Sequence, residues 1–139
     1  MRIVALCFTL LIVLFPIPAL AHDLSRGKIN VTLTSVATGH NEAIFTAEAT
    51  PGIASPQLKL AWKLLDGGAL LDGPPENVWA NLPINAPMTQ SRRVRVPGEG
   101  IYRVVVSAIL PFGEANRFLD SAMLFMIVDG SGNVQISEK

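Results

Sequence analysis

Two histidines, His22 and His40, are the chain's only side chains with an ordinary pKa close to neutrality. If the chain is cut after Ala21, His22 becomes the N-terminal residue and offers its α-amine and a ring nitrogen as a chelate for Cu(II). His40 adds an imidazole if the first inter-strand turn lies near that terminus, and Met88, Met123 and Met126 offer soft sulfur for Cu(I). Met123 and Met126 fall on opposite faces of one strand, so they share a site only at a bulge. Copper, with His22 and His40 as metal ligands, is thus the alternative reading, and the first expectation is no cofactor.

Catalysis needs a nucleophile, a base and a group that orients them, or a metal. The two histidines fall at a free terminus and in a turn, and no Gly-x-Ser-x-Gly elbow, His-Glu-x-x-His or phosphate-cradling loop occurs. Gly130-Ser131-Gly132 lacks the elbow's spacing. An EF-hand loop counted from Asp129 needs glycine at 134, which is Val134, and glutamate at 140, beyond the chain. Arg92-Arg93-Val94-Arg95 reads at strand spacing as a solvated face. The expectation is a protein that is not an enzyme.

Composition narrows the classes further. The 139 residues carry 11 Lys and Arg against 11 Asp and Glu; removing the leader takes Arg2 and leaves 10 against 11, a formal charge of −1. That balance gives no footprint for nucleic acid. Arg2, the apolar run from Ile3 to Phe15, the breakers Pro16 and Pro18, and Ala19-Leu20-Ala21 read as a secretory signal peptide over 1–21. The rival is an uncleaved anchor, because residues 3–21 are uncharged and near spanning length. Cys7, the only cysteine, lies in the leader, so a mature chain of 22–139 forms no disulfide. A periplasmic or secreted protein follows, with no membrane span after cleavage.

Any site must be positioned by the elements of residues 22–139, and these alternate like strands. Apolar residues recur at every second position in Ile29–Leu33, Ala43–Thr50, Leu58–Leu64, Val94–Val96, Ile101–Leu110 and Arg117–Val128. Asp66-Gly67 predicts a tight hairpin to a short return strand at Ala69–Leu71. Residues 72–88 read as a long connection with an edge strand near Val78-Trp79, and the tail from Asp129 reads as frayed. No segment can serve as a crossover helix, so the expected fold is all-β, a single antiparallel sandwich of about seven strands. Leu58, Leu60, Trp62, Leu64, Tyr102, Val104 and Val106 form the expected core, with Phe45, Val94, Val96 and Phe125 around it.

Gly100-Ile101-Tyr102-Arg103-Val104 resembles strand F of immunoglobulin-like and fibronectin type III-like domains, and Trp62, 40 residues earlier, resembles the buried tryptophan of their strand C. The resemblance covers residues 22–139 and implies an immunoglobulin-like sandwich in which Val104 and Ala47 or Ala49 replace the disulfide by packing. It also implies a corner at Tyr102, whose hydroxyl bonds back to nearby backbone. It names no ligand.

The last two long strands carry more apolar residues than one buried face requires. Ile101, Val105 and Ile109 stand opposite the core face of their strand, and the final strand is apolar on both faces. Ile101, Val105, Ile109, Leu124 and Met126 are the expected partner interface, for a protein partner or a homodimer. Either that patch is exposed, or residues 72–88 fold over it, or a bulge changes the register. The functional expectation is an exported non-enzymatic binding or assembly module of the bacterial envelope.

Overall fold

The structure, a computed structural model, describes residues 28–112 and 114–139; the leader and His22 lie outside them. The described chain forms nine strands and no helix. These are β1 (Ile29–Gly39), β2 (Glu42–Pro51), β3 (Ser55–Leu64), β4 (Ala69–Leu70), β5 (Glu76–Leu82), β6 (Met88–Arg95), β7 (Gly100–Phe112), β8 (Asn116–Val128) and β9 (Val134–Ser137). They make two antiparallel sheets, a four-stranded one in the order β1-β2-β6-β4 and a five-stranded one in the order β5-β3-β7-β8-β9.

Alternation decides which residues meet between the sheets. Phe45, Ala47 and Ala49 of β2 and Val94 of β6 face Leu58, Leu60 and Trp62 of β3 and Tyr102, Val104 and Val106 of β7, all of them buried. Small alanines on β2 leave room for the large side chains opposite, which keeps the layer dense. Polar groups are buried with this core as well. Trp62 Nε1 donates to Gln90 Oε1 at 2.7 Å, a bond that crosses from one sheet to the other. Tyr102 donates its hydroxyl to the Gly98 carbonyl at 3.0 Å and anchors the turn before β7.

Four expectations need correction. Asp66-Gly67 does not close a hairpin, because β4 pairs with β6 in the opposite sheet rather than with β3. The positive φ angles fall on Gly67 and Gly68, at 103° and 101°, not on the Asp-Gly pair a type I′ turn requires. Asp66 is instead committed to β7, accepting the Arg103 backbone N–H at 2.9 Å and its guanidinium at 2.7 and 2.8 Å. The tail is not frayed: β9 pairs with β8 through a turn in which Asp129 accepts the N–H groups of Ser131 and Asn133. Phe125 stands opposite Arg103 on the outer face, only partly buried, so it does not join the core. Arg92 faces inward beside Phe45 and is buried, while only Arg93 and Arg95 form the solvated face, both paired to Glu42.

Candidate functional site: the outer face of β7 and β8

The register of the β7–β8 ladder sorts the apolar excess without ambiguity. Tyr102 pairs with Met126, Val104 with Leu124 and Val106 with Ala122, so these rows face the core. The alternate rows, Ile101 with Ile127, Arg103 with Phe125, Val105 with Met123 and Ile109 with Leu119, face outward. Leu124 and Met126, expected in the partner interface, are therefore core residues; Met126 has no exposed surface. The reason is the side-chain period of two: in a strand apolar on both faces, only the register assigns a face. Ile101, Val105 and Ile109 are on the outer face as expected. The residues sequence reasoning missed are their partners Leu119, Met123, Phe125 and Ile127.

This outer face is an apolar band running the length of both strands. Ile101, Leu119 and Met123 keep 62%, 51% and 42% of their surface. The band is interrupted at one rung, where Ser107 and Ser121 hydrogen-bond each other at 2.8 Å. It holds two charges, Arg117 at its far end opposite Pro111 and Arg103, whose guanidinium is tied to Asp66. That pairing holds the Asp66 carboxyl down at about 2, through the side-chain and backbone hydrogen bonds from Arg103. Lys59 and Lys63 on β3 border the band, Lys59 paired with Glu76 at 2.8 Å.

The connection from β3 to β6 does not cover it. Its first strand, β4, joins the opposite sheet, and its second, β5, pairs with the far side of β3 and lengthens the sheet. No bulge intervenes either, since the β7–β8 register is continuous from Gly100 to Phe112.

Of the expected copper ligands, His22 lies outside the described residues. His40 sits in the β1–β2 turn, against Gly132, at the opposite end of β1 from Lys28 and roughly 30 Å away at about 3.3 Å per residue. Met123 is on the outer face, Met126 in the core and Met88 half-buried on β6 in the other sheet. Among the described residues no group of three or more His, Cys, Asp and Glu is placed to hold a metal ion. None of the described residues forms a helix long and apolar enough to cross a membrane. No protein-family model, no curated protein and no solved structure matches the chain.

Proposed function

We propose that the protein is an exported, non-enzymatic binding or assembly module of the bacterial envelope that docks a protein partner, or a second copy of itself, through the outer face of β7 and β8. The observation that carries this reading is the outward apolar band on β7 and β8, in continuous register, with Ile101, Leu119 and Met123 exposed and Val105, Ile109, Phe125 and Ile127 half-buried between them. Contiguous apolar surface on a rigid sheet with polar neighbours is the usual mark of a docking surface. Export is supported by the leader pattern of residues 1–21. The immunoglobulin-like reading is supported by strand order, because β1-β2-β6-β4 facing β3-β7-β8 follows the A-B-E-D and C-F-G orders. On that reading β5 and β9 are additional edge strands.

The test is the double substitution Val105→Lys with Met123→Lys, on neighbouring positions of one outward rung. The native protein, sized by light scattering in extracts of its own host, is expected in an assembly larger than one chain, and the variant as a folded monomer. An unchanged assembly in the variant would overturn the reading.

A further inference from the structure

The two sheets are unequal at one side, and the difference leaves a strand position that none of the described residues fills. β1, the edge of the four-stranded sheet, packs across β8, while the five-stranded sheet continues one strand further to β9. The inward residues of β9, Val134 and Ile136, pair with Val128 and Met126 and belong to the core face, yet both are only partly buried. Between β1 and β9 runs a slot of about 280 Å³ with an apolar floor of Leu33, Leu124 and Ile136 and a polar rim of Thr34, Ser137 and Glu138.

The free edge of β1 says what chemistry fits there. Val31 donates its N–H to Asp120 Oδ2 at 2.7 Å, so the odd-numbered residues of β1 turn their backbone groups away from β2. By the same alternation Leu33, Ser35 and Ala37 present their N–H and C=O groups to the vacant position. Ser35 adds a second, independent sign: its hydroxyl oxygen is buried and has no hydrogen-bond partner among the described residues. Asp120 closes one end of this edge, and the Asn41 N–H to Gly132 carbonyl bond at 3.0 Å closes the other.

We propose that this position binds an extended peptide segment of a partner protein, added as a strand beside β1 and over β9. Its backbone pairs with Leu33, Ser35 and Ala37, and its alternate apolar side chains cover Leu33, Leu124 and Ile136. A second copy fits less well. Pairing β1 with β1 about Ser35 would turn only Ser35 and Ala37 beside Leu33 into the slot, leaving much of its apolar floor uncovered. The site is separate from the outer face of β7 and β8, which points away from it, so either can fail without the other.

The test is an amide-resolved NMR titration of the purified protein with acetyl-Lys-Val-Thr-Val-Thr-Val-Lys-amide, and with the same peptide carrying proline for its central valine. The first peptide is expected to give saturable shifts at Leu33, Ser35, Val134 and Ile136 and to slow exchange of the Leu33 and Ser35 amides; the second is not. Ser35→Pro removes only an edge donor, a position where strands accept proline. It is expected to weaken binding about tenfold, the equivalent of one hydrogen bond. Ile136→Lys, which leaves β1 untouched, is expected to weaken it as well. Shifts confined to Val105 and Met123, no saturation at millimolar peptide, or unchanged affinity in both variants would overturn the proposal. So would a dimer of the free protein that Ser35→Pro dissolves, which would assign the edge to a second copy.

Discussion

The two outer faces of this sandwich are built on the same alternation and carry opposite chemistry. On the four-stranded sheet the outward rows of β1, β2 and β6 are mostly polar: Thr32 with Glu48 and Thr89, Thr34 with Thr46 and Ser91, and Glu42 with Arg95, with one apolar pair, Val36 and Ile44, beside Arg93. Thr46 and Ser91 hydrogen-bond at 2.9 Å, and Glu42 holds both Arg93 and Arg95. On the five-stranded sheet the outward rows of β7 and β8 are apolar except at Arg103, Ser107, Arg117 and Ser121. Both faces look away from the same core, so packing does not require the second to be apolar. The first face shows that this chain can finish a sheet with threonine, serine and ion pairs. On the proposed reading the apolar band serves what the protein meets rather than how it folds.

That contrast is sharpest at two methionines three residues apart. Met126→Lys puts a charge among fully buried side chains and is expected to cost more than about 4 kcal/mol, enough to prevent folding in a domain of this size. Met123→Lys, on the exposed outer face, is expected to change stability by no more than about 0.5 kcal/mol. Urea unfolding midpoints of the two variants check this, and comparable losses would mean that the outer band is part of the folding core.

A smaller effect tests the polar bond inside the core. Gln90→Leu leaves the Trp62 indole N–H buried without an acceptor and is expected to cost about 1–3 kcal/mol. Adding Trp62→Phe removes the orphaned donor, so the double variant should lose less than the sum of the two single losses in denaturant melts. Strict additivity would show that the bond does not couple the sheets.

The smallest effect concerns the charge in the middle of the apolar band, Arg103. Arg103 holds Asp66 at about 2, below its ordinary 3.8, so this carboxylate stabilises the folded state above pH 3.8 and loses that contribution as pH falls toward about 2. Asp66→Asn is expected to flatten that part of the acid limb in thermal melts from pH 5 to pH 2. An unchanged limb would mean that Asp66 and Arg103 are not paired in solution. The pair keeps a cation at the centre of an apolar surface without leaving it unmatched.

Much of the sandwich was legible because alternation marks a half-buried strand. Leu58, Leu60 and Trp62 in β3 and Tyr102, Val104 and Val106 in β7 fall where their spacing puts them. The chain was least legible where pattern carries no sign. β8 is apolar at nearly every position from Ala122 to Val128, so nothing local tells Met123 from Met126; the ladder to β7 does. Asp66-Gly67 has hairpin chemistry, but the aspartate finds a stronger partner in Arg103, and the next strand crosses to the other sheet. β9 was hidden by its brevity, although Val134-Gln135-Ile136-Ser137 alternates correctly behind a glycine turn. The slot beside β1 had no sequence signal, since it arises from one sheet having a strand more than the other.

The central claim is that the outer face of β7 and β8 contacts a partner while the outer face of the four-stranded sheet does not. Site-specific photo-crosslinking in the protein's own host tests it most directly, with the reactive side chain placed at Val105, at Met123 and, for the opposite face, at Thr46. The account predicts a discrete adduct from Val105 and Met123 and none from Thr46. Adducts of equal yield from all three positions, or an adduct from Thr46 alone, would contradict it.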